Sequence, residues 1–238
     1  LKQLEDKSIV IFRKSQNGYR LFEGSDIDIN SEVELQKAQI NWDWDIIFSE
    51  IPTPSPVVPK KHFLNTGSLR WFEKRIVPID HYNHIKNDLS KFNLMENCTG
   101  LFLLFVPNSK DTQKTFQKKI NKIEKIEDNE IEIIYGSSDF TDGLAIINLA
   151  LEIASLKRAS IYNEAIKDDR VARSEFNTRL NFSEKQLSDT LTHCFDNACW
   201  TYKNNLVKKE TLSSLSSQIS DQIYKYTPRI SNELINRD

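Results

Sequence analysis

The chain has six glycines in 238 residues, and none of them lies in a pattern that cradles phosphate. The P-loop spacing of Gly, four residues, then Gly-Lys-Ser/Thr does not occur, and neither does G-x-G-x-x-G, motifs whose glycines let backbone amides close on a pyrophosphate. These residues therefore encode no recognised nucleotide cradle of their own. Cysteine is also scarce: Cys98, Cys194 and Cys199 are too few, and odd in number, for a disulfide scaffold, and fit a reducing compartment. No apolar run is long enough to span a bilayer and the N-terminus is not signal-like, so the expected setting is cytoplasmic, with no membrane partner. Lys plus Arg number 32 against 34 Asp plus Glu, a formal net charge of -2 that rules out a global positive field. Any contact with nucleic acid has to be local.

What the sequence does have is a buried plank. Leu101 to Val106 are six consecutive apolar residues opened by Gly100 and closed by Pro107-Asn108, too short for an ordinary helix and without a polar face. That pattern reads as a strand covered on both sides, the signature of a parallel sheet. Thr112 to Ile126 then sets Phe116, Ile120, Ile123 and Ile126 on one helical stripe opposite Lys114, Lys118, Lys122 and Lys125, and Glu130 to Tyr135 returns as a strand. With a strand at 69–79 and an amphipathic helix from Asp80 to Phe92 before the plank, the expected class is α/β. Its core is a small three-layer sheet of parallel βαβ strands near 69–79, 101–106 and 130–135.

A β-hairpin and helix segment precedes this core. Ser8–Arg13 and Tyr19–Phe22 flank Asn17-Gly18, a pair that accepts the positive φ of a tight turn. Asn30-Ser31 is expected to cap a helix to about Gln39, and Trp42 to Ile51 forms another. Four of the seven prolines, Pro52, Pro54, Pro56 and Pro59, then mark an extended connector. Beyond the sheet, Gly143 to Arg158 reads as a strongly apolar helix capped by Thr141 or Asp142, and a helical subdomain follows. In it Asp168-Asp169 and a Ser183/Gln186 capping box start helices, Trp200 to Lys208 makes a minor hairpin, and Leu212 to Tyr226 is amphipathic. The expected divisions are 1–59, 60–160 and 161–238. The chain opens on Leu1 and stops straight after a regular pattern, as an internal piece of a longer protein would.

One concentration of basic and aromatic residues stands out: Lys60, Lys61, His62, Arg70, Lys74 and Arg75 interleaved with Phe63, Trp71 and Phe72. Phosphate-backbone binding needs such a surface, though the aromatics equally suit a sheet core. With the hairpin as a wing, this is a nucleic-acid-binding reading. Gly24-Ser-Asp-Ile-Asp28 places carboxylates of Asp26 and Asp28 at i and i+2, able to share a divalent metal on a strand, as in metal-dependent nucleotidyl transfer; the plainer reading is a turn and a helix cap. His193, Cys194 and Cys199 lack a finger spacing and a fourth ligand, so no metal site is assigned to them. Ligands of open α/β sheets bind beyond the carboxyl ends of strands, which points to Asp80, Asn108, Ser109, Ser137, Ser138 and Asp139.

Four stretches carry a resemblance: Tyr19–Ile29, His62–Glu73, Asp169–Arg173 and Pro228–Arg237. They resemble segments of large bacterial phage-defence P-loop ATPases, the BREX-type ATP-binding proteins and their relatives, in a region outside the P-loop core. The resemblance implies a non-catalytic regulatory or interaction module of an anti-phage defence ATP-binding protein. It implies no catalytic residue and no cofactor in this chain, with ATP and magnesium belonging to the parent protein. The implied partners are an upstream ATPase domain of the same protein, other defence-system proteins, and DNA.

Overall fold

The computed structural model describes residues 10–13, 18–21, 28–87, 89, 92–96, 98–124, 131–163, 166, 169–203, 205–207 and 211–224. The chain divides into two compact units, Leu1–Pro52 with Ala145–Thr190, and Thr53–Leu144 with Leu191–Asp238.

The first unit holds a hairpin and helices. Strands β1 (Val10–Arg13) and β2 (Gly18–Leu21) pair antiparallel with Val10 opposite Leu21. The turn expected at Asn17-Gly18 falls at the edge of the described residues. Helix α1 (Ile29–Ile40) is capped by Asp28, whose carboxylate accepts the N–H groups of Asn30 and Ser31, so the cap lies two residues before the expected Asn30. A carboxylate at this position answers both the orphan amides and the helix dipole, which an Asn or Ser one turn later cannot do. Asn41 and Trp42, both at positive φ, link α1 to α2 (Trp44–Ser49). Ile29 and Val33 of α1 pack with Leu156, Ala159, Ile166 and Phe176 into one core.

The second unit is an α/β sheet. Its strands run in the order β3 (Trp71–Pro78), β4 (Cys98–Val106), β5 (Glu132–Ser137), β6 (Cys199–Tyr202) and β7 (Asn205–Leu206). β3, β4 and β5 are parallel; β5–β6 and β6–β7 are antiparallel. The expected parallel core is thus present, and the minor hairpin near Trp200 extends the same sheet. Every residue from Leu101 to Val106 is fully buried, each larger side chain contributing about 1.5–3 kcal/mol by leaving water. Leu101, Leu103 and Phe105 face Tyr82 and Ile85 of α4 (Tyr82–Asn87) and Phe116 and Ile120 of α5 (Gln113–Ile120). On the opposite face Phe102 meets Phe72 and Trp200, and Trp200 stacks on Phe195.

Three further boundaries differ from sequence expectation. Lys60–Thr66 forms a helix, α3, between Pro59 and Gly67, whose φ of 72° closes it in the left-handed region that glycine tolerates. Helix α6 (Phe140–Tyr162) starts one cap earlier than expected: Asp139, not Thr141 or Asp142, accepts the Thr141 N–H. The Ser183/Gln186 capping box is overridden, because Ser183 is buried inside α7 (Arg170–Asn197). No glycine or proline interrupts Arg170 to Gln186, so the helix runs through a local start signal. Asp169 does cap α7, through Val171 and Ala172. Helix α8 (Leu212–Ile223) completes the described chain, capped by Thr211. Among the described residues no helix is long and apolar enough to cross a membrane.

Candidate functional site

Helix α3 shows an inward and an outward side. His62 and Thr66 fall on the inward arc, and His62 is 1% exposed. Its Nδ1–H donates to Asp221 on α8 at 2.6 Å, the carboxylate being able only to accept. The ring also lies 6.2 Å from that of Tyr224, over which the Arg70 guanidinium sits at 3.2 Å from the ring centroid. His62 and Arg70 are thus brought together by Asp221 of α8 and by Tyr224 just past its end, residues that carry no local signal in the sequence. Lys60, Lys61, Phe63 and Leu64 occupy the outward arc and are exposed, Leu64 by 81%, with Leu69 beside β3 exposed by 62%.

The remaining two basic residues go elsewhere. Lys74 and Arg75 are neighbours on β3, so the pleat sends them to opposite faces. The Lys74 ammonium lies 5.2 Å from the centre of the Phe195 ring, where burial pushes its pKa down against the opposing pull of Asp196. Arg75 forms an ion pair with the buried Glu73 and donates to the carbonyls of Lys74 and Phe92 at 3.0 and 3.3 Å. Among the six basic residues, Lys60 and Lys61 are the exposed ones without an ion pair to another described residue.

The carboxyl edge of the parallel strands is a closed polar network. Asn108, just after β4, donates to Asp80 at 2.6 Å, and its own N–H donates to Asp111 at 2.9 Å. The Lys119 ammonium bridges Asp80 and Asp111 at 2.6 and 2.7 Å. Burial raises the Asp80 pKa, but the hydrogen bonds from Lys119 and Asn108 outweigh it and hold the carboxyl below its ordinary range. Ser109 donates to Asn108 at 3.0 Å. Ser137 ends β5 opposite Cys199, Ser138 is buried against Gly143, and Asp139 is the α6 cap. Strand order β3-β4-β5 does not reverse, so both crossover helices lie over one face, and among the described residues there is no crevice of the kind an order reversal opens in other α/β sheets.

Asp28, the described member of the Asp26/Asp28 pair, spends its carboxylate on the α1 cap, while Asp26 lies outside the described residues. The Ser31 hydroxyl donates to it at 2.6 Å, and this bond chiefly holds its pKa below 3.8. Cys194 is buried and Cys199 exposed, with His193 3.5 Å from Asp142. Among the described residues no three His, Cys, Asp or Glu side chains converge as a metal set. Comparison with protein families, with curated proteins and with solved structures finds no match for this chain.

Proposed function

We propose that this chain is a non-catalytic contact module of a larger bacterial phage-defence ATP-binding protein, relaying nucleotide state to a DNA or protein partner. The observation that carries the reading is the outward arc of α3, where Lys60 and Lys61 stand beside exposed Phe63 and Leu64, with Leu69 close in sequence. Covering exposed apolar side chains is favourable, and the ammonium groups beside them attract an anionic partner. The carboxyl edge of the sheet supports the same reading, since its acids and amide are already spent on one another. Four stretches resembling the defence ATPases supply the setting, with the ATPase core in an upstream domain.

The test uses the purified 238-residue chain. It should not hydrolyse ATP, and a Lys60→Glu/Lys61→Glu variant should lose partner capture while keeping its unfolding midpoint. Labelled duplex DNA distinguishes the partner: binding that falls steeply with salt and vanishes in the double variant supports DNA. Salt-insensitive capture of the upstream ATPase domain, lost in Leu64→Asp, supports protein. ATP turnover by the isolated chain would overturn the reading.

A further inference from the structure

A cleft in the first unit has a build that docking through α3 does not use. Ala145, Asn148, Leu149 and Glu152 repeat at i, i+3, i+4 and i+7, one stripe of α6, and with Leu151 they face Lys37 of α1 and Trp42 across a cavity of about 410 Å³. That volume is in the range of small-molecule sites.

Two observations mark the cleft as more than a packing gap. Trp42 has φ of 58° and follows Asn41 at 46°, so the α1–α2 link places a bulky side chain where the left-handed backbone favours glycine. A strained tryptophan kept on the wall of a cavity points to use of its ring. Independently, the exposed amide of Asn148 opens on the same cavity and has no hydrogen-bond partner among the described residues. The two charged walls are already neutralised: Lys37 binds Glu34 at 2.8 Å and Glu152 binds Arg179 at 2.8 Å.

We infer that the cleft between α6 and Trp42 binds a neutral heteroaromatic ring of nucleobase type. The ring stacks on Trp42 over the apolar Leu149 and Ala145, and the Asn148 amide, a donor beside an acceptor, pairs with the donor–acceptor edge that a base presents. Because no unpaired cation among the described residues lines the cavity, the sugar phosphate is not what is recognised. The site therefore differs from the α3 surface in its response to salt.

The experiment is titration of the whole chain with adenosine, cytidine, guanosine and uridine, followed by NMR shifts of the Trp42 indole N–H and the Asn148 side-chain amide. At least one nucleoside should saturate both signals, adenosine 5′-monophosphate should bind no more tightly than adenosine, and affinity should stay within about twofold between low and high salt. Asn148→Leu, an exposed change, should weaken binding about tenfold and level the preference among bases. Trp42→Gly should abolish binding yet raise the unfolding temperature, whereas Trp42→Phe should retain part of the affinity. Absence of saturable shifts at both residues, binding untouched by Asn148→Leu, a steep salt dependence, or a lower unfolding temperature in Trp42→Gly would each overturn the inference.

Discussion

His62 and Asp221 lie 159 residues apart in the sequence and 2.6 Å apart in the fold. The imidazole is buried and the carboxylate half-exposed, so the pair ties α3 to α8 with its polar end toward water. Replacing Asp221 by Ala strands a buried ring N–H, a loss of about 1–3 kcal/mol. Urea unfolding of Asp221→Ala measures it; an unchanged midpoint would show that the bond contributes nothing.

Gly100 admits no methyl group. A Cβ there would stand 2.5 Å from the Phe72 ring and 2.8 Å from the Glu132 carbonyl oxygen, on the strand that lies between the other two parallel ones. Gly100→Ala should destabilise the chain by about 1–3 kcal/mol, since backbone on β5 must move as well as the ring. Thermal unfolding reads the effect, and Phe72→Leu in the same chain should recover only part of it.

Cys194 gives the stability curve an alkaline limb. Burial, reinforced by the negative charges of Asp142 and Asp139, pushes its thiol from 9.0 up to about 12. The folded state thus holds this proton more tightly than the unfolded state, so the contribution is complete below about 9 and fades as pH rises toward 12. The stability gap between the native chain and Cys194→Ala should narrow over that window. In the folded chain a thiol reagent should label exposed Cys199 before Cys194; equal rates would contradict the burial.

At the acid end the Asp28 cap acts with the opposite sign. Hydrogen bonds from Ser31 hold its pKa below 3.8, so its stabilisation is present above that value and is lost as pH falls through the lower, folded one. Asp28→Ala should cost about 0.5–2 kcal/mol at neutral pH. The difference from the native chain should shrink in strong acid, as denaturant midpoints at two pH values would record.

Lys74 and Lys60 should part company. Lys74→Met keeps an unbranched side chain against Phe195 and removes a charge that burial disfavours, so stability should hold or rise slightly. If α3 is the contact surface, Lys74→Met should also leave partner binding within about twofold, while Lys60→Ala/Lys61→Ala weakens it. Binding titrations of the two variants decide it, and a larger loss in Lys74→Met would move the surface onto β3.

Local chemistry made the sheet legible. The run Leu101–Val106 has no polar face for any register to expose, and the Phe116/Ile120 stripe can bury only one side of a helix. Capping was legible in kind and, at Asp169, in place; Asp28 and Asp139 take ends that neighbouring side chains could equally have taken, because a cap is chosen by where the backbone turns. Helix α3 shows no readable period, since seven residues after a proline-rich connector are too few to display one.

By itself, the order of apolar and polar residues determined the parallel βαβ core and the helices around it, because periods of two and of three to four residues are set by covalent geometry. Only the tertiary structure decided that Lys74 lies against Phe195, that Tyr224 receives Arg70, and that Trp42 meets Asn148 across a cleft. Those outcomes depend on contacts between residues far apart in the chain, whose free energies no local pattern records.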